Sequence, residues 1–464
     1  MLHWLLIIGP VYVGILIFLA WFSRRGINNA SDFMMGGFNV GTVLGFMTFA
    51  ATLFSTFTMM GMPDFFRIHG IGAWIFLAVS DGAMVYFILW FGYRLRALSK
   101  ARDFRGMSGL LKEIYDTKWA SYLYFAVIFI FLIPYVAIQI RGISIFLDAA
   151  FQDLMPYWAW ALIIVGIMII YSETGGLKAI MYSDTLQGIL LLTVVWIIAF
   201  RLLEDSNGMK VLFDEVKSID PELLSVPGPA GLFNIQFLVA SFIAILMIPV
   251  TQPQISTRLM VMRSLGAMKR MSIGVGFFAM LVIFPTVIIG MYGAVNYTGV
   301  PTADFLSGVL IYEHPELLAT LVMIGLIAAA ISTSDSQIFA MGSELRSLLK
   351  GDEISVLKKT KAGMLIFAFF AFIFSLISSD QLVMLARVSF AGTAMISPVI
   401  LVAVFFRDKA TKSILWISSI AVIAFILSLI GWLPPLILKI QTDLFLFIIL
   451  FITTALHILI PGKN

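Results

Sequence analysis

The 464-residue chain contains no cysteine, so neither a disulfide framework nor a thiolate metal site is available to it. Charge is scarce as well, with only 12% of residues charged. The four histidines, His3, His69, His314 and His457, are scattered at the ends of apolar segments. They form no cluster with carboxylates, which excludes a transition-metal site of the usual spacing. No motif joins a nucleophile to a general base, and the charged residues are too dispersed for a catalytic constellation, so an enzyme is not expected. The net charge of +4 needs no nucleic-acid partner. Basic residues instead concentrate in loops, from Arg94 to Lys118 and from Arg346 to Lys361, where they fit contact with anionic lipid headgroups.

What is abundant is apolar surface. Hydrophobic residues make up 61% of the chain, and apolar runs of about 20 residues recur along its length, each long enough to cross a bilayer as a helix. The expectation is an all-α polytopic membrane protein with about 13 transmembrane helices. Most of the Lys and Arg residues fall in alternate connections, which places the amino terminus outside and the carboxyl terminus in the cytoplasm. The first apolar run has no basic residue before it, but Arg24 and Arg25 directly after it. It reads as an uncleaved anchor rather than a removable signal peptide. The plasma (inner) membrane is the expected location. The sequence leaves the oligomeric state open, and a monomer is compatible with it.

Residues 40–203 and 233–406 each hold five expected spans of similar order and length. An odd number of spans inverts the second copy relative to the first, as in secondary transporters built from inverted repeats. Residues 1–39 form an extra first span and loop, 204–232 an acidic extracellular connection, and 407–464 two further spans. The first helix of each repeat is interrupted. One carries Thr52, Ser55, Thr56 and Thr58 before Gly61 and Pro63; the other carries Pro249, Thr251, Gln252, Pro253 and Gln254. Proline lacks an N–H and frees a carbonyl, so each helix can unwind where it lines a cavity.

The segment AAAISTSDSQ, Ala328 to Gln337, lies inside an otherwise membrane-spanning run. On a helix, Ala329, Ser332, Thr333 and Ser336 fall at i, i+3, i+4 and i+7, forming one strip with Asp335 on its flank. Hydroxyls, carbonyls and a carboxylate are a suitable donor set for a small monovalent cation held at mid-membrane. The pattern points to ion-coupled transport. The competing reading is that Ser332 and Thr333 bond back to their own helix.

Four strings together carry a family resemblance: ATLFSTFTMMGMP (Ala51 to Pro63), GGLKAIMYSDTLQ (Gly175 to Gln187), TQPQISTR (Thr251 to Arg258) and AAAISTSDSQ. In this order the chain resembles the sodium:solute symporter family, whose fold is the LeuT-like five-plus-five inverted repeat, over nearly its full length. The resemblance implies a Na⁺ site formed by the backbone carbonyls of Ala51, Phe54 and Ala329 with the hydroxyls of Ser332 and Thr333. It also puts Asp184 near the ion path, with Asp335 and Ser336 one turn below the main site. Asp335 departs from the hydroxyl or small residue expected there. Two neighbouring carboxylates could hold a second Na⁺, or one could carry a proton. Alternatively, Asp335 could pair with a Lys or Arg at the inner mouth.

The clearest clue to the solute is Arg141, inside the span IPYVAIQIRGISIF, with Gln139 two residues earlier. A guanidinium matches a carboxylate bidentately, so an amino acid or monocarboxylate is expected as the small-molecule partner. Arg141 could equally be paired with Asp81 or Asp184, or snorkel to an interface. Thr52, Ser55, Thr56 and Gln252, beside the breaks, complete the candidate substrate residues. The implied mechanism is Na⁺-coupled symport by alternating access, with proton coupling as the alternative. A transporter-like sensor would need a separate signalling partner, because the chain ends at Asn464 without such a module. A transporter with two parallel six-span halves lacks its expected long central loop.

Overall fold

Three of the membrane-spanning segments are bent sharply at a break, and two of these breaks fall where the sequence places them. The computed structural model describes residues 1–23, 39–101, 106–151, 154–174 and 176–459. Arg24, Arg25, Gly175 and the stretch 102–105 of the basic loop lie outside the described residues.

The helices in chain order begin with α1 (Leu2–Ser23), α2 (Thr42–Leu53), α3 (Met62–His69), α4 (Ser80–Ala101), α5 (Met107–Ile114) and α6 (Lys118–Ala150). Next come α7 (Tyr157–Thr174), α8 (Gly176–Asp205), α9 (Met209–Ile219), α10 (Ile235–Leu246), α11 (Ile248–Thr251), α12 (Pro253–Met260) and α13 (Leu265–Asn296). The remainder are α14 (Thr302–Ser307), α15 (Glu316–Leu348), α16 (Glu353–Ile377), α17 (Leu382–Ala394), α18 (Ser397–Phe405), α19 (Lys412–Leu429) and α20 (Thr442–Leu459). A two-stranded hairpin, β1 (Leu436–Ile437) with β2 (Ile440–Gln441), precedes α20.

Among the described residues, nine helices are long and apolar enough to cross a membrane, and twelve if each bent pair counts as one span. The remaining expected segment is α7, whose apolar part, Tyr157–Ile169, is shorter than the others.

Local chemistry explains the bends. The chain turns by 52° between α2 and the helical stretch Phe57–His69. Phe54 is extended (φ −100°, ψ 121°), and a wide π turn, Phe57–Gly61, follows before Pro63 starts α3. The second break, 54°, lies between Thr251 and Pro253. Gln252 is extended there, and Pro253 has no N–H to continue the ladder. A third bend of 45°, between α17 and α18, was not anticipated from the sequence. It has the same cause, because Pro398 occupies the first turn of α18.

The broken first span is held between long helices. α13 packs closely on α3 at Gly290, where a Cβ would lie 2.5 Å from Phe66 Cβ and 2.6 Å from the Pro63 carbonyl oxygen. α6 approaches the break at Gly142, where a Cβ would fall 2.4 Å from Thr56 Cγ2. α15 lies against α8 and α2, carrying its hydroxyl strip to the first break. α1 covers this face from outside, with Tyr12 and Leu16 packed on Ile324 and Ala328. At the far end of α15, Glu344 accepts the Met107 and Ser108 N–H groups (2.9 and 2.8 Å). A carboxylate at this N-terminus caps α5 and ties the basic loop to the C-terminal end of α15. The acidic connection after Asp205 is a surface helix, α9, with Leu212 and Val216 turned inward.

Candidate functional site

The break after Leu53 removes donors from carbonyls that a continuous helix would satisfy. Ser55 N–H, which would otherwise bond the Ala51 carbonyl, turns to Thr58 Oγ1 at 3.2 Å. The freed Ala51 carbonyl faces α15. Ser332 Oγ lies 3.2 Å from it, and Thr333 Oγ1 lies 3.4 Å from both the Ala51 and Thr52 carbonyls. Ser332 and Thr333 therefore reach across to the broken helix rather than bonding only to their own. Phe54 caps the broken helix and Ala329 sits one turn before Ser332; both are buried. The expected set is thus drawn from the two elements that face each other.

One turn along, a buried ionic network fills the space between α2, α8, α12 and α15. Asp184 Oδ2 accepts Arg258 Nη2 at 2.9 Å, and Asp184 also accepts Thr48 Oγ1; its Oδ1 lies 2.6 Å from Ser332 Oγ. Arg258 donates further to Thr48 Oγ1 (2.9 Å), Ser336 Oγ (2.7 Å) and the Gln254 carbonyl (2.7 Å). Thr52 Oγ1 and Ser336 Oγ are 3.4 Å apart. All of these side chains are buried. Ser332, shared between Asp184 and Ala51, connects the network to the break.

Arg258 therefore stands between Asp184 and Ser336, where the sequence suggested a second ion. The third member of that set, Asp335, is fully buried, and neither carboxylate oxygen has a hydrogen-bond partner among the described residues. Nor does it make, among those residues, the ion pair with an inner-mouth Lys or Arg that was the alternative expectation. Arg258 was visible in the sequence only as the end of TQPQISTR. A guanidinium within an apolar segment, i+4 from Gln254, was the signal that a buried carboxylate awaited it.

The substrate candidates divide. Arg141 donates through Nε to Asp380 Oδ1 (2.7 Å) and through Nη1 to the Ser375 carbonyl (2.8 Å), with its guanidinium over the Tyr157 ring. Its partner is Asp380, not Asp81 or Asp184, and Asp380 is partly exposed. The guanidinium is committed to a structural pair because α6 and the start of α17 meet there, a juxtaposition the sequence does not reveal. Gln139 donates to the Tyr135 carbonyl, leaving its Oε1 unpartnered. Ser55 Oγ accepts Phe57 N–H within the break. Thr56 Oγ1 and Gln252 Nε2 are buried without partners among the described residues, each at one of the two breaks.

The first break borders a small cavity of about 10 Å³, room for little more than one water, lined by Phe54, Phe57, Ile248, Phe390 and Asp81, with aliphatic side chains between them. Tyr135 closes its edge, donating to the Leu53 carbonyl at 3.2 Å and packing edge-on against Phe390.

Two broken helices facing a hydroxyl-bearing third, with a small cavity beside the first break, define a secondary transporter of the LeuT-like architecture. A family model described as the sodium:solute symporter family matches residues 33–421. The chain is 25% identical over 341 residues to the high-affinity proline transporter PutP of Bacillus subtilis, covering 71% of this chain and 70% of that one. It is 22% identical over 304 residues to a sodium/pantothenate symporter of Haemophilus influenzae, covering 64% and 61%. Its fold matches a Na⁺-coupled sialic acid symporter solved in a substrate-bound outward-open state, with TM-score 0.76, 18% identity, and 96% and 94% of the two chains covered. The chain belongs to the sodium:solute symporter family. It is a Na⁺-coupled multi-pass membrane transporter and not an enzyme.

Proposed function

We propose that the chain takes up a small carboxylate-bearing solute, an amino acid or monocarboxylate, together with Na⁺ across the plasma membrane. Its amino terminus lies outside and its carboxyl terminus in the cytoplasm. The observation that carries this reading is the meeting of Ser332 and Thr333 with the freed carbonyls of Ala51 and Thr52. Hydroxyl and carbonyl oxygens converging in a buried place are the donor set a Na⁺ ion requires. The proposed ligands are the carbonyls of Ala51, Phe54 and Ala329 and the hydroxyls of Ser332 and Thr333.

Coupling follows from which elements share the ion. α2 belongs to the broken first span and α15 to the helices around it, so an ion held by both favours the arrangement in which they are in register. The same break borders the solute cavity. Ion and solute thus stabilise one conformation, and the membrane potential contributes about 2.3 kcal/mol per charge for each 100 mV. With Asp184 and Ser336 engaged by Arg258, the reading is one Na⁺ per solute. The proline and pantothenate relatives support a small carboxylate-bearing solute. The unpartnered donors Thr56 Oγ1 and Gln252 Nε2 offer it a place at the breaks, the role Arg141 is not free to fill.

The test is uptake of L-proline and of pantothenate into proteoliposomes under an inward Na⁺ gradient, a K⁺ gradient, or a proton gradient without Na⁺. Accumulation that requires Na⁺ supports the reading. Accumulation driven equally by the proton gradient alone overturns the ion assignment.

A further inference from the structure

Asp81, near the start of α4, is a buried carboxylate without a counter-ion among the described residues. It is 7% exposed and lines the small cavity beside the first helix break. It has no hydrogen-bond or ion-pair partner among the described residues. The other buried acids show how unusual this is. Asp64 has Arg67 and Thr302, Asp184 has Arg258, Asp443 has Arg387, and Glu344 has two backbone N–H groups. Apart from Asp335, which does not line this cavity, every buried acid among the described residues is compensated except the one facing the solute space. A carboxylate within a membrane span is costly unless a cation or water meets it.

We infer that the transported solute carries an ammonium group and that Asp81 is its counter-ion in the central cavity, so that the solute is an amino acid rather than a monocarboxylate. This rests on the symport reading above and narrows its solute class.

Two further features agree. The cavity lining includes no Lys, Arg or His, and Arg141 is held by Asp380, so no side-chain cation of the lining competes with a solute amine for Asp81. Phe54, Phe57 and Phe390 supply aromatic walls, the faces of which attract an ammonium group. The cavity as it stands has room for little more than one water, about 10 Å³, so a solute reaches Asp81 only when the surrounding helices part.

The test uses the full-length purified protein and reads thermal stability in Na⁺ and in K⁺. The probes are the common amino acids, the des-amino analogue of each (cyclopentanecarboxylate for proline, for example) and pantothenate. Ligands that bind the folded state raise its melting temperature. The expected result is that at least one amino acid stabilises in Na⁺ and not in K⁺, while its des-amino analogue at the same concentration does not. For that amino acid, Asp81→Asn weakens half-saturation by about 100-fold, as expected when one member of a buried charge pair is removed. Asp81→Glu recovers part of the loss, and Na⁺ alone stabilises all three proteins equally.

Stabilisation by Na⁺ with equal response to an amino acid and its des-amino analogue overturns the inference and leaves the symport reading standing. So does a response to pantothenate alone, or an Asp81→Asn protein with unchanged solute affinity. Absence of any Na⁺ effect in the unaltered protein overturns the symport reading, and this inference falls with it. If Asp81→Asn does not fold, the comparison of each amino acid with its analogue on the unaltered protein decides.

Discussion

Arg258 and Asp184 are 74 residues apart in the chain and 2.9 Å apart in the fold, and both side chains are buried. Removing one partner leaves a desolvated charge uncompensated, a loss of about 3–5 kcal/mol. Arg258→Gln and Asp184→Asn should each lower the melting temperature and abolish measurable uptake. The double variant Asp184→Asn/Arg258→Gln should be more stable than the sum of the single losses predicts, because neither charge is then stranded. Additive losses in that cycle would show that the pair is not coupled.

The same pair bears on stoichiometry. With Arg258 between Asp184 and Ser336, the space suggested for a second cation holds a tethered one. The dependence of initial uptake on Na⁺ concentration should therefore be hyperbolic, and paired measurement of charge moved and solute accumulated should give one Na⁺ for a net-neutral solute. A sigmoidal dependence with two charges per solute would contradict this.

Ser332→Ala and Thr333→Ala each delete one oxygen facing the first break. Each should raise the Na⁺ concentration for half-maximal uptake by about tenfold, the equivalent of one net hydrogen bond's worth of free energy. The Ser332 change should be the larger, since its hydroxyl also meets Asp184 at 2.6 Å. The melting temperature in the absence of Na⁺ separates loss of the ion from loss of the fold, and for Thr333→Ala it should remain close to that of the unaltered protein.

Arg141→Ala offers a sharp contrast. Because the guanidinium is held by Asp380, whose side chain is 42% exposed, the pair contributes on the order of 1 kcal/mol or less. Arg141→Ala and Asp380→Ala should behave alike, with the solute KM changed less than threefold, a bound corresponding to under about 1 kcal/mol. A large rise in KM for the arginine variant alone would restore it as a carboxylate ligand.

The contrast between Ser332 and Arg141 shows what the sequence could disclose. Ser332, Thr333 and Ser336 share a helix face by spacing alone, and the prolines at 249, 253 and 63 announce breaks without tertiary information. The third bend was missed because Pro398 follows an apolar run with no polar cluster to mark it. Arg141, Arg258 and Asp81 were visible as charges in apolar surroundings, but a charge states only that a partner is needed. Which partner depends on helices meeting: α6 with the start of α17 for Arg141, α12 with α8 for Arg258. Asp81 differs from both because the fold brings it no cation among the described residues.

Gly290 tests the mechanical side of the same arrangement. It sits on α13 against α3, with the nearest atoms being Phe66 Cβ, the Pro63 carbonyl oxygen and Arg67 N. Two of these are backbone and the third is a Cβ, so none can yield by a side-chain rotation. Gly290→Ala would place a methyl at 2.5 and 2.6 Å from the first two, and only a shift of α3 relative to α13 could relieve it. Overpacking of this kind costs about 1–3 kcal/mol, so the melting temperature should fall. α3 is the continuation of the broken helix that presents Ala51, Thr52 and Phe54. A displaced α3 should therefore also alter the Na⁺ dependence of uptake, although Gly290 touches neither ion nor solute. Thermal stability measured with and without Na⁺ separates the two effects: a smaller Na⁺-induced rise in the variant shows that the strain reaches the break. An unchanged melting temperature would mean that the two helices are free to separate, and that the close approach at Gly290 does not position the site.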